Sequence, residues 1–326
     1  MKCMSPVKRI LASVLVLPAM SAMTAAFAQG YPTKPITVSI ATAAGSAPDV
    51  IIRAMAQKMN EAWRQPVIVD NRASAGGISA VTMVTKNPPD GHTLLVHTAA
   101  FTIAPSMYKL PYDTFRDLLP VSIIAYVPNM LVVHPTLPVK NVKDLIALAK
   151  ARAGDLNYAS SGSGTPAHLS GELFKSMAGV NILHVPYKGS PPALTSVLSG
   201  ETSMLFSPLT IAIPHTTSGK LRSLGVTTAK RSKLVPDLPT IAESGLPGYE
   251  VTQWYGMQVA TGTPKDVVSK INGEVRKILA MPDIVEKLAL LGAEPAPSTS
   301  EFMASYVKTE VEKWSKVVKA SGAKAD

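Results

Sequence analysis

Residues 157–174 read NYASSGSGTPAHLSGELF. Residues 156–159 form a short β-type run, and from Pro166 to Ala178 the pattern becomes helical. Between them lie small residues, hydroxyls and two glycines, Ser160 to Thr165. Gly162 and Gly164 allow the backbone to come close to a ligand. Ser163 or Thr165 fits the N-cap, Pro166 suits the first turn, and His168 falls in that turn. A helix start carries unpaired N–H groups that favour anions by ~0.3–1 kcal/mol when exposed. A phosphate, a serine nucleophile's target, a carboxylate and a plain helix cap are all compatible with this stretch.

The stretch has a counterpart near the start of the chain. Ala41-Thr42-Ala43-Ala44-Gly45-Ser46-Ala47-Pro48-Asp49 follows a strand at 36–40 and opens a helix at 48–60. Ser46 is the expected N-cap there, Pro48 sits in the first turn, and Asp49 resembles the far partner of a capping box. Two such loops facing across a cleft would form a charge-neutral clamp for a carboxylate. The hydroxyls of Thr42, Ser46, Ser161, Ser163 and Thr165 are the expected side-chain donors.

The same alternation runs along the chain. Strands are expected at 36–40, 67–69 and 93–96, with helices at 48–60 and 79–85. Apolar runs at 121–126 and 130–133 follow, separated by Pro128-Asn129. A second series has helices at 142–152, 166–178 and 192–198 and strands near 156–159, 181–185, 203–206 and 221–226. A strand at 251–259 precedes helices at 264–279, 284–291 and 301–318. The fold class is α/β, with mostly parallel sheets flanked by helices. Two βα series imply two lobes with a cleft between them. Ligands in such sheets sit at the carboxyl ends of strands.

Composition narrows the possibilities. At 326 residues, with 46% apolar and 17% charged, the chain has material for about two folded domains. Residues 1–28 read as a secretory signal peptide: Lys2, Lys8 and Arg9, an apolar run at 10–17, then Ala26-Phe27-Ala28, with cleavage after Ala28. Cys3 is the only cysteine, so the mature chain has no disulfide, thiolate metal site or thiol nucleophile. No later run of ~18 apolar residues suggests a span. The expected location is the periplasm. The formal charge of +10 falls by three with the signal peptide, and the basic residues are scattered, so nucleic-acid binding is not expected.

Enzyme motifs are missing. Ser161-Gly162-Ser163-Gly164 lacks the G-x-S-x-G order, and Ala167 stands where a dinucleotide fingerprint needs its third glycine. No H-E-x-x-H occurs among the six histidines, and His168 with Glu172 reads as a helix-surface pair. No cofactor or metal is expected. A dispersed Ser-His-Asp set leaves a secreted serine hydrolase as a remote alternative.

Several longer motifs resemble one family. They include Tyr31-Pro32-Thr33-Lys34-Pro35-Ile36, Val69-Asp70-Asn71-Arg72 with Ala75-Gly76-Gly77, and Pro89-Asp90-Gly91-His92-Thr93-Leu94-Leu95. His168-Leu169-Ser170-Gly171-Glu172-Leu173-Phe174, His184-Val185-Pro186-Tyr187-Lys188-Gly189, Leu238-Pro239-Thr240-Ile241-Ala242-Glu243 and Trp254-Tyr255-Gly256 extend the match. The chain resembles the Bug, or TctC, family of periplasmic solute-binding proteins, the receptors of tripartite tricarboxylate transporters. The resemblance implies a type II-like periplasmic binding fold with two α/β domains and a ligand cleft. The expected domains are 29–128 plus 254–326, and 129–253, with crossings near 126–130 and 253–256. It implies a small carboxylate ligand, permease subunits as partners and a monomer. The expected ligand-binding residues are Thr42, Ala43, Ala44, Gly45, Ser46, Asp49, Thr98, Ser161, Ser163, Gly164, Thr165, His168 and Ser207. Thr42 replaces a usual aromatic, and Ser207 stands where many relatives carry an acid or amide, which argues against an amino-acid ligand. A di- or tricarboxylate or an aromatic carboxylate is expected. The alternative is a ligand-dependent partner of a membrane histidine kinase.

Overall fold

The structure, a computed structural model, describes residues 30–322. The expected signal peptide at 1–28 lies outside the described residues. The first series is β1 (Ile36–Ile40), α1 (Ala47–Trp63), β2 (Val67–Asn71), α2 (Ile78–Lys86), β3 (Thr93–Thr98), α3 (Ala100–Met107) and β4 (Leu118–Val127). The second is β5 (Asn129–Val133), α4 (Val142–Ala151), β6 (Asn157–Ser160), α5 (Pro166–Ala178), β7 (Leu183–Pro186), α6 (Ser190–Leu198), β8 (Met204–Pro208), α7 (Leu209–Thr217) and β9 (Arg222–Val226). The chain ends with β10 (Gln253–Ala260), α8 (Lys265–Leu279), α9 (Pro282–Leu290), β11 (Glu294–Pro295) and α10 (Ser300–Ser321).

The strands form two sheets with a common plan. One has the order β11-β4-β10-β3-β1-β2, the other β7-β6-β8-β5-β9. In each, a parallel trio comes first: β2-β1-β3 in one and β7-β6-β8 in the other. An antiparallel strand then follows, β10 beside β3 and β5 beside β8. The central strand of each trio, β1 or β6, therefore runs into the loop that opens α1 or α5. Ile36, Val38, Ser39 and Ile40 are all buried. This reflects helices covering both faces, which makes such strands apolar throughout rather than alternating.

Three elements depart from the sequence expectation. Helices α3 and α7 lie in stretches to which the sequence pattern assigns no element. Each is short, lacks a capping side chain and contains a proline, Pro105 or Pro214. Proline removes a donor and argues against a helix. Packing overrides that here, since Phe101, Ile103 and Ala104 of α3 are buried. Strand β11 is two residues long and pairs with Tyr126 and Ala125 of β4, too short to leave a pattern.

The sheets are joined at Pro128, between β4 and β5. The chain returns between Val226 and Gln253. Thr227 donates its amide to the Asn129 carbonyl, and Val251 donates to the Thr227 carbonyl, both at 2.9 Å. The second crossing thus lies just upstream of the expected 253–256, because Gln253 and Trp254 already pair with Val127 and Tyr126. Helix α10 spans both sheets. Ser300 at its start bonds the Val121 carbonyl of β4 at 3.1 Å. Its later residues Trp314, Val317 and Val318 pack in one cluster with Leu131, Tyr158, Phe174, Phe206 and Tyr249. The Phe174, Phe206 and Tyr249 rings lie 6.1–6.4 Å apart. Each such buried side chain contributes about 1.5–3 kcal/mol. Among the described residues, no helix is long and apolar enough to cross a membrane.

Candidate functional site

The loop from β6 to α5 is held by its own side chains. Thr165 is the N-cap, accepting from the His168 amide at 3.4 Å. Its hydroxyl donates to the Gly162 carbonyl at 2.7 Å. Gly164 donates its amide to His168 Nδ1 at 2.9 Å. Gly162 (φ 132°) and Gly164 (φ 73°) adopt conformations that side chains resist. Beneath them Ser160, fully buried, takes the Gly162 amide at 3.1 Å and meets His184 Nε2 at 2.6 Å. The rings of His168 and His184 stack at 4.0 Å. Tyr158 and Lys175 both donate to Glu172 Oε1 at 2.7 Å. Burial, then the hydrogen bond to Glu172 and its charge, pushes the Tyr158 phenol well above its ordinary range.

These bonds assign the donors. Thr165 spends its hydroxyl hydrogen on Gly162, and the Gly162 and Gly164 amides are occupied. Among the described residues, the amides of Ser161 and Ala167 and the Ser161 hydroxyl have no hydrogen-bond partner. Their position at a helix start favours an anion.

The loop from β1 to α1 is built differently from its expected capping box. Ser46 makes no side-chain cap. Its hydroxyl donates to the Ala43 carbonyl at 2.7 Å and pairs with Thr42 Oγ1 at 2.9 Å. Asp49 reaches the Gly45 amide at 2.8 Å rather than that of Ser46. Asp49 is buried, and Asn71 Nδ2 and Arg53 Nε hold its other oxygen at 2.9 and 3.0 Å. Burial works to raise its pKa, but the bonds from Gly45, Arg53 and Asn71 outweigh that and hold the carboxyl below its usual range. Asp49 thus braces the loop from beneath. Among the described residues, the Ala43 and Ala44 amides have no backbone partner.

A cavity of about 190 Å³ opens beside the first of these loops. Ser161, Thr165 and Ser207 of the expected site residues line it. Asn129, Ser190 and Gln253, which the sequence reading did not single out, line it too. No charged side chain contributes. Asn129 is 2% exposed and its Oδ1 has no hydrogen-bond partner. Residues 42–46, Thr98, Ser163, Gly164 and His168 do not line this cavity. Thr98 instead accepts from the Ala100 amide at 3.3 Å, at the start of α3. Asn129 and Gln253 are the first strand residues after the two crossings. Their only sequence signal is a polar residue flanking an apolar run.

The model of the tripartite tricarboxylate transporter family receptor matches residues 51–323. The chain belongs to this receptor family. Protein BugT of Bordetella pertussis is 34% identical over 300 residues, covering 91% of this chain and 92% of BugT. A structure from R. palustris solved with adipate is 37% identical, covers 90% of this chain and 99% of that one, and superposes with a TM-score of 0.75. MatC from Rhodopseudomonas palustris with bound malate is 30% identical, covers 88% and 100%, and gives a TM-score of 0.71. The expected α/β periplasmic binding fold is therefore the fold of this receptor family member.

Within that family fold, Ser161 is the exposed-side hydroxyl and Ser160 the one in contact with histidine. Ser160 is buried and already bonded to Gly162 and His184. A nucleophile must reach its substrate, so this pair acts as a support for the loop.

Proposed function

We propose that this receptor captures a small organic carboxylate in the 190 Å³ cavity and passes it to a membrane permease. The observation that carries the reading is the cavity wall itself. It joins the free Ser161 and Ala167 amides at the start of α5 to uncharged polar side chains, without any carboxylate. That chemistry suits an anion stabilised by neutral donors. The adipate and malate complexes of the relatives support the same class.

The two lobes are 29–128 with 254–326, and 129–253, the end of α10 reaching across. Closure about the crossings brings the Ala43 and Ala44 amides of the matching loop onto the ligand as the second jaw. Thr42, Gly45, Ser46, Asp49, Ser163, Gly164 and His168 then act by shaping the two loops, and Thr98 by holding the start of α3. The ligand is a dicarboxylate or an aromatic carboxylate. The absence of an acidic group at Ser207 disfavours an ammonium-bearing one. Signal-peptide cleavage after Ala28 would deliver the receptor to the periplasm as a monomer.

A melting-temperature screen of mono-, di- and tricarboxylates tests the class. A ligand at a hundredfold excess over Kd adds about 2.7 kcal/mol to the folded state. The reading predicts a shift with at least one carboxylate. It fails if sugars or amines shift the melting temperature and no carboxylate does.

A further inference from the structure

A second cavity, of about 410 Å³, lies on the other side of the crossings. Pro128 and Thr252 line it, while their neighbours Asn129 and Gln253 line the smaller cavity. Successive residues of an extended chain face opposite ways, so the crossings separate a front site from a rear one. The rear cavity sits where the segment leaving the second sheet meets β11 and α10. Ser232 Oγ donates to Glu294 Oε1 at 2.5 Å, and the Lys233 amide does so at 3.1 Å.

Its walls have a chemistry unlike the front site. Tyr126, Tyr306 and Phe302 form a continuous aromatic face, with ring centroids 5.9 and 6.2 Å apart. Phe302 is 53% exposed and Tyr306 Oη is buried without a partner. Glu250 and Glu294 stand in the same wall. Burial, then the charges of Glu250 and Glu310, pushes Tyr126 up to about 12. Lys230 and Arg231 also line the cavity and are exposed to solvent, and Arg231 is neutralised by Glu243 at 2.9 Å. An aromatic face beside carboxylates recognises a cation on an apolar body.

We propose that this rear cavity is a second ligand site, for an organic cation, an alkylammonium or guanidinium group carried on an aromatic or alkyl body. The site is independent of what fills the front cavity.

Calorimetric titration of the chain with phenethylammonium, and with 2-phenylethanol as its neutral counterpart, tests this. The expected result is saturable one-to-one binding of the cation, with the alcohol about tenfold weaker or more. Glu250→Gln with Glu294→Gln should lower cation affinity by about tenfold or more. Phe302→Ala, at an exposed position that leaves the fold intact, should weaken both probes. No saturable heat with the cation, equal binding of the alcohol, or affinity unchanged in both variants overturns the proposal.

Discussion

The Gly164 amide points at His168 Nδ1, 2.9 Å away, and ties the tip of the loop to the first turn of its own helix. Nδ1 accepts in this bond, which places the proton of the neutral ring on Nε2. Gly164 has φ 73°, and an added Cβ would lie 3.2 Å from Met107 Cε. Gly164→Val therefore strains the backbone and displaces the loop while leaving the core untouched. The variant should keep its circular dichroism and lose carboxylate binding. Unchanged affinity would detach this loop from the ligand.

Asn129 allows a charge test of the cavity. Asn129→Asp keeps the shape and adds a carboxylate to a wall that has none. Two like charges about 4 Å apart repel by roughly 4 kcal/mol at an effective dielectric of 20. Calorimetry at pH 7 should show carboxylate affinity falling by about a hundredfold or more. An unaffected Kd would mean that the ligand sits elsewhere.

His97 predicts a pH dependence of stability. The ring is buried between Phe101 and Trp254, at 4.3 and 5.1 Å. Burial, opposed by the contact of Nδ1 with the Thr98 carbonyl at 3.1 Å and by the neighbouring Gln258 side chain, lowers its pKa from 6.5 to about 4. Between those values the unfolded chain binds a proton that the native chain refuses. Stability is therefore full above 6.5 and declines as pH falls from 6.5 towards 4. The loss is on the order of 3 kcal/mol from this one group. Urea midpoints across that window should fall less steeply for His97→Leu than for the natural chain.

Gly171 lies against a ring that cannot move. A Cβ there would come within 2.5 Å of Tyr158 Cζ. Tyr158 is held by its bond to Glu172 and by stacking on His184 at 4.9 Å. Gly171→Ala should cost about 1–3 kcal/mol through overpacking. Calorimetric melting should show a drop of roughly 2–12 °C.

The alternation of strands and helices was legible because burial on both faces leaves apolar runs and because caps and prolines mark helix starts. Helix α5 runs over Pro166–Ala178, as its proline and spacing predict. Helices α3 and α7 were not legible, since their prolines argue for connections and only tertiary packing decides otherwise. The site was legible as a loop but not as a set of donors. Thr165, Thr42 and Ser46 look like free hydroxyls in sequence, yet each is bonded within its own loop. Asn129 follows a proline and reads as a turn residue. Its place beside Ser161 and Gln253 depends on strand crossings that no local pattern records.

The most direct test is a crystal structure of the chain with the carboxylate that most raises its melting temperature. The account predicts one carboxylate group within hydrogen-bond distance of the Ser161 and Ala167 amides, with Asn129 also in contact. A carboxylate bound outside that cavity, or held there by a charged side chain, would contradict it.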